Sequence, residues 1–77
     1  MMWEGTEEPL FEERIQGELV RFLWRQEGSH HFIRAEWSFG KNPWEMKACN
    51  TENTQRHLAI EEATKKIEQI INEVKNR

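Results

Sequence analysis

The sequence predicts an α+β domain in which a short N-terminal helix precedes a three-stranded antiparallel sheet, and a long amphipathic C-terminal helix packs on one face of that sheet. Two observations carry this prediction. Between residues 18 and 50, two turn signals separate three runs in which apolar and polar residues alternate, which is typical of strands. Beyond residue 54 the apolar residues recur every three or four positions instead, which is typical of a helix. A chain of 77 residues suffices for one such unit, so we assign residues 1–77 to a single domain.

The N-terminal segment predicts a flexible arm followed by a helix. Residues 1–5 have no apolar period and are assigned to the arm. Thr6 is a suitable N-cap, Pro9 is tolerated in a first helical turn because its missing N–H needs no partner there, and Gly17 is placed for a C-cap. These signals predict a helix over residues 7–16. An edge strand over the same residues is the alternative, because short apolar segments do not distinguish the two.

Three strands are predicted over residues 18–25, 30–38 and 44–50, joined by loops over 26–29 and 38–43. Their alternation gives the sheet one apolar face that would form the core. The residues predicted on that face are Val20, Phe22, Trp24, Ile33, Ala35, Trp37, Trp44, Met46 and Ala48.

The last third of the chain predicts an amphipathic helix over about residues 54–75, packed on the apolar sheet face. Its apolar stripe consists of Ile60, Ala63, Ile67, Ile70, Ile71 and Val74.

The opposite, open sheet face gives the functional hypothesis. A four-residue loop at 26–29 makes Arg21 face Arg34, and the predicted second loop makes Arg34 face Lys47, so three cations would share one row. Like charges opposite each other destabilise a sheet, so such a row suggests an anion site, with Phe32 beside it as a stacking surface for a base. The candidate nucleic-acid-binding residues are Arg21, Arg25, His30, Phe32, Arg34, Lys47 and Arg56.

Two other arrangements would satisfy the cation row without a ligand. Glu36 and Glu45, one row away, are within reach of the three cations as diagonal neighbours. The carboxylates of the predicted helix over residues 7–16 would do the same if that helix covered the open face.

The predicted element order resembles that of the double-stranded RNA-binding domain. Residues 28–32, Gly-Ser-His-His-Phe, are similar to the Gly-Pro-x-His loop and following aromatic residue of that family. The resemblance covers residues 6–76 and implies RNA binding. The family opens its second helix with two lysines, whereas this chain has Gln55, Arg56 and His57 there, so Arg56 is the matching cation. A three-stranded sheet with one long helix is also similar to the DNA-reading domains of plant transcription factors and of phage integrase arms, which use the open sheet face.

The composition narrows the functions and cellular settings that the sequence predicts. A net charge of −3 disfavours a protein that grips nucleic acid mainly by bulk electrostatics. Cys49 is the single cysteine, which excludes an intramolecular disulfide and suits a reducing compartment. No apolar run approaches the roughly 20 residues of a membrane span. The sequence therefore predicts a soluble cytoplasmic protein that does not bind membranes.

The function predicted from these patterns is that of a small non-enzymatic binding module. The sequence has no Cys/His spacing of a metal site and no glycine-rich phosphate loop, so we expect no catalytic residues, no metal and no cofactor. Two functions stay open. One is nucleic-acid binding, with RNA as the first candidate, through the open sheet face or the helix ends. The other is a protein-interaction or regulatory module that acts as a homodimer or as a subunit of a complex.

Overall fold

The computed structural model describes residues 7–76 and shows four antiparallel strands followed by one helix. The strands are β1 (Glu8–Ile15), β2 (Glu18–Glu27), β3 (His30–Ser38) and β4 (Met46–Asn53), and the helix is α1 (Arg56–Lys75). They form one sheet in the order β1-β2-β3-β4, and α1 lies across β3 and β4. We call the sheet surface under α1 the helix face and the other surface the open face. The α+β class, the antiparallel sheet and the long C-terminal helix are thus confirmed, whereas the arm predicted over residues 1–5 lies outside the described residues.

The helix predicted over residues 7–16 is wrong, because this segment is strand β1. Gln16 and Gly17 both have positive φ, at 52° and 80°, and they form a two-residue hairpin turn of the type whose twist matches that of the flanking strands. This turn folds β1 directly back on β2. Phe11 then contacts Phe22 with ring centroids 4.8 Å apart, so the apolar residues of β1 are used in a sheet. The edge-strand alternative was the right one, and the sheet has four strands where three were predicted.

The β2–β3 hairpin has a shorter turn than the sequence predicted. Glu27 pairs with His30, so Gly28 and Ser29 alone form the turn, and Gly28 supplies its positive φ of 60°. Each predicted pairing is therefore displaced by two residues. Because side chains alternate with a period of two, the displacement leaves every side chain of β2 and β3 on its predicted face.

The prediction for the last strand, which corresponds to β4, is wrong in both position and register. It runs over Met46–Asn53, whereas the prediction was 44–50. Ala35 pairs with Cys49 and Trp37 with Lys47, a displacement of three residues from the predicted pairing. An odd displacement turns each side chain of the strand to the opposite face. The three residues of this region assigned to the core, Trp44, Met46 and Ala48, are therefore not in it.

The core lies between the helix face and α1. Helix residues Ala59, Ala63, Ile67 and Ile71 are buried at intervals of four, and they pack against Ile15, Val20, Phe22, Ile33, Ala35 and Trp37. The C-terminal end of α1 is held to the first hairpin, because Lys75 Nζ donates to the carbonyl oxygen of Gln16 at 2.9 Å and lies 3.2 Å from a carboxylate oxygen of Glu18. Among the described residues, no helix is long and apolar enough to cross a membrane.

Candidate functional site

The structure places the predicted binding residues in three different locations. Five lie on the open face, one lies on the helix face and one lies at the start of α1. The open-face residues are Arg21, Arg25, His30, Phe32 and Arg34, the helix-face residue is Lys47, and the helix residue is Arg56.

The predicted row of three cations is wrong. Arg21 lies opposite Glu36, and Arg34 lies between Leu23 and Asn50. Lys47 lies opposite Trp37, on the other side of the sheet from both arginines. Glycine at position 28 allows a tighter turn than the sequence indicated, and that change alone separates Arg21 from Arg34.

Glu36 is the centre of charge pairing on the open face. Its carboxylate accepts from Arg21 Nη2 at 2.7 Å and from Arg34 Nε at 2.8 Å. The side chain of Glu36 is only 15% exposed. Burial raises the pKa of this carboxyl, but the hydrogen bonds from the two arginines outweigh burial and hold the pKa below its ordinary value. Of the arrangements left open by the sequence, neutralisation by Glu36 is therefore the one observed for these two cations.

The rest of the predicted open-face site is also paired within the chain. Arg25 forms an ion pair with Glu27, and its guanidinium lies over the Phe32 ring at 4.3 Å from the centroid. The ring face that would stack on a base is thus covered by a cation–π contact. His30 Nδ1 lies 2.6 Å from a carboxylate oxygen of Glu52.

Among the described strand residues of the open face, the four arginines are matched by four glutamates. The rows of this face that hold more than one of these charges contain both signs: Glu12, Arg21 and Glu36 share one row, and Arg25 and Glu52 share another. The cations of this face are Arg14, Arg21, Arg25 and Arg34, and its anions are Glu12, Glu27, Glu36 and Glu52. A shallow depression of 310 Å³ on this face, lined by Glu12, Leu19, Arg21, Glu36 and Ser38, has a carboxylate on either side of its arginine. This electrostatic pattern does not favour a polyanion.

Arg56 belongs to a separate cluster at the other side of the sheet. Its guanidinium lies 4.7 Å from the centroid of the Trp24 ring, and Trp24 Nε1 donates to His31 Nδ1 at 3.0 Å. Arg56 and His31 thus both contact the indole. These contacts explain why Trp24 is only partly exposed.

Cys49 lies on the helix face, where it pairs with Ala35. The thiol is half-buried and contacts the carbonyl oxygen of Ala63 at 3.6 Å, and burial raises the pKa of Cys49 above its ordinary value. Within residues 7–76, no three His, Cys, Asp or Glu side chains come together in a way that could hold a metal ion.

The most exposed large apolar side chain of the described residues lies in the loop between β3 and β4. We call residues 39–45 the aromatic loop. Trp44 in this loop is 75% exposed and Phe39 is 40% exposed. Tryptophan is usually well buried on average, so an indole presented in this way is unusual for a side chain that serves only the fold.

Hydrogen bonds within the aromatic loop fix the backbone turn that carries Trp44. Glu45 N donates to the carbonyl oxygen of Asn42 at 2.9 Å, which makes Asn42–Glu45 a β-turn with Pro43 at its second position and Trp44 at its third. The Glu45 carboxylate accepts from the backbone N–H of Asn42 at 3.1 Å and from its Nδ2 at 3.0 Å. Phe39 N donates to the Glu45 carbonyl oxygen at 3.0 Å and closes the loop.

No protein-family model, curated protein or solved structure matches this chain.

Sequence reasoning missed Trp44 as a functional candidate because it assigned this residue to a strand of the core. The signal that would have found it is the dipeptide Asn42-Pro43, which favours the start of a turn. A turn that begins at Asn42 puts Trp44 at an outer corner, where a side chain points into solvent. The aromatic loop, and not the cation row, is thus the part of the surface whose exposure needs an explanation.

Proposed function

We propose that this protein is a small non-enzymatic protein-interaction module that binds a polypeptide partner through the aromatic loop. The observation that carries the proposal is Trp44, an indole 75% exposed at the corner of a turn whose backbone and side chains are hydrogen-bonded to each other. Tryptophan is among the residues most enriched at the energetic centres of protein interfaces.

The exposure of Trp44 and the hydrogen-bonded backbone of its loop both favour binding. Burial of the exposed part of an indole removes on the order of 150 Å² of largely apolar area from water, which is worth at most about 4 kcal/mol. Binding normally loses part of such a gain to the ordering of loops and side chains. Glu45 already bonds to Asn42, so the backbone that carries Trp44 is ordered before a partner arrives. The loop therefore retains more of the gain than a loose segment would.

Nucleic-acid binding stays a prediction, and the structure changes what would support it. Arg21, Arg34 and Arg25 each have a carboxylate partner, so a phosphate would have to displace Glu36 or Glu27. Phosphate neutralisation supplies most of the sequence-independent affinity for nucleic acid, and paired arginines contribute less of it. A base stacked on Trp44 is the remaining route, and nuclease treatment of the complex distinguishes it from a polypeptide partner.

The test compares wild type with Trp44→Ala. The control is Leu19→Ala, which removes another exposed apolar side chain, 46% exposed, outside the loop. Sedimentation of each purified protein with and without cell extract should show a discrete complex for wild type and Leu19→Ala that is lost in Trp44→Ala. Mass spectrometry of that complex should identify a protein, and the complex should survive nuclease treatment.

Three results would contradict the proposal. The first is a wild type that forms no complex, and the second is a Trp44→Ala variant that forms the same complex as wild type. The third is a complex that dissociates when it is treated with nuclease. Titration with labelled RNA and DNA at low salt makes the third result quantitative. A lower nucleic-acid affinity in the double variant Arg21→Glu, Arg34→Glu would indicate that the open face is the binding surface.

A further inference from the structure

The two edge strands of the sheet differ in how well they resist pairing with another strand. β1 contains Pro9, a register shift between Pro9 and Phe11, and the acidic residues Glu8, Glu12 and Glu13. Proline, irregular pairing and charge are devices that keep a free edge from pairing with another chain.

β4 has neither a proline nor an irregular pairing, and it carries fewer charged residues than β1. It is eight residues long, contains no proline, and pairs with β3 without a register shift from Asn53 to Met46. Its charged residues are Lys47 and Glu52, which lie on opposite faces. A regular edge strand of this length presents a row of backbone groups ready for another strand.

Helix α1 lies beside this edge and carries alternating charge along it. Asn53 Nδ2 of β4 donates to Glu62 at 3.4 Å, and Lys66 lies close enough to Cys49 for its charge to act on the thiol. Glu62 and Lys66 are four residues apart and therefore lie on the same flank of α1, the one above β4. Ala63, between them in sequence, contacts Cys49 directly.

We propose that β4 pairs antiparallel with β4 of a second copy of this chain about a twofold axis at Cys49, so that the two four-stranded sheets become one continuous sheet. This inference goes beyond the proposed function, because it concerns a different surface from the aromatic loop.

The spacing between strands sets the distance between the two copies of α1 in this dimer, and that distance suits packed helices. Neighbouring strands lie about 4.8 Å apart. Because α1 lies across β3 and β4, continuation of the sheet through two β4 strands brings the two copies of α1 to about 10 Å from each other. Packed helices lie about 8–10 Å apart, so the helices meet without a gap or a clash.

Charge complementarity selects the second copy as the partner. Antiparallel strands about a twofold axis run the two helices antiparallel as well. With the axis at Cys49, close to Ala63, Glu62 of each copy approaches Lys66 of the other. In the sheet itself, Lys47 faces Thr51 of the second copy and Met46 faces Glu52, so no like charges oppose each other.

The experiment measures association by analytical ultracentrifugation over a concentration series. Wild type should sediment as a dimer. Lys66→Glu and Glu62→Lys should each raise the dissociation constant at least about tenfold, because each replaces two opposite-charge contacts by like charges. The double variant Glu62→Lys, Lys66→Glu should restore the dimer, since the exchange recreates both contacts. Thermal unfolding followed by circular dichroism checks that each variant stays folded.

Hydrogen exchange locates the interface. Residues 46–53 should exchange more slowly in wild type and in the double variant than in Lys66→Glu, whereas β1 should be unaffected. A wild type that is monomeric throughout the series overturns the inference, as does a dimer that both single charge reversals leave intact. Trp44→Ala separates this inference from the proposed function: a dimer lost in that variant would run through the aromatic loop and not through β4.

Discussion

Replacement of Glu36 by Gln tests how the open face neutralises its own cations. The change keeps the size of the side chain and removes the charge that accepts from Arg21 and Arg34. A hydrogen bond to a charged group contributes about 1.5–3 kcal/mol when it is well shielded. The Arg21 side chain is 56% exposed and that of Arg34 is 33% exposed, so solvent screening reduces both contributions. We expect Glu36→Gln to lower the free energy of unfolding by about 1–2 kcal/mol, or Tm by roughly 5–15 °C for a domain of this size.

The pH dependence of this loss follows from the lowered pKa of Glu36. A carboxyl whose pKa is lower in the folded than in the unfolded state stabilises the fold above its unfolded pKa, for which the reference is 4.5. The stabilisation is lost as the pH falls through the folded pKa. The difference in Tm between wild type and Glu36→Gln should therefore be full at pH 7 and should shrink steadily below about pH 4.5.

Glu12→Gln is the matched control, because Glu12 also faces Arg21, from β1, but acts on it through charge without a hydrogen bond between them. We expect it to change the free energy of unfolding by less than about 0.5 kcal/mol. Urea unfolding of the three proteins at pH 7 and at pH 3 measures both quantities. Equal losses in Glu36→Gln and Glu12→Gln, or a loss independent of pH, would refute the idea that Glu36 is the centre of this network.

Three further substitutions test the core and the aromatic loop. Ile67→Ala empties a fully buried position and should cost about 2–5 kcal/mol in urea unfolding; a cost below 1 kcal/mol would mean that the core is not closed there. Thr51→Val removes the bond from Thr51 Oγ1 to the Ala59 carbonyl oxygen, 2.7 Å long and buried, and should cost about 1 kcal/mol by the same measurement, whereas an unchanged stability would show that the bond contributes nothing. Gly40→Ala would place a methyl group 2.8 Å from Glu45 Cβ, so limited proteolysis should cleave the aromatic loop faster than in wild type. An unchanged rate would argue against a loop that is ordered by the contacts of Glu45.

The periodic patterns of the sequence were sufficient to predict helix α1 and strands β2 and β3. The three- and four-residue spacing from Ile60 to Val74 predicted the apolar stripe of α1, in which Ala63, Ile67 and Ile71 are buried, and alternation predicted the buried residues of β2 and β3. These patterns survive in the structure because a period of 3.6 or of 2 decides which side chains share a face, wherever the element begins.

Tertiary structure decided the segments whose local pattern fits more than one element. Residues 8–15 contain apolar spacings compatible with a helix or a strand, and the Gln16-Gly17 turn against β2 selected the strand. Whether residues 8–15 form a helix or a strand depends on their pairing with β2, and the sequence of the segment alone does not contain that information.

By itself, the sequence determined which residues of β2 and β3 face the core and which face solvent, because a displacement of two residues leaves the faces unchanged. Only the tertiary structure decided which residues lie opposite each other. Turn lengths set that register, and the turns at Gly28 and at Asn42-Pro43 differ from the predicted loops by two and three residues in pairing. The first difference joined Arg21 to Glu36 in place of Arg34. The second turned Lys47 away from the arginines and left Trp44 exposed at a corner, which is why the candidate site moved from the sheet face to the loop.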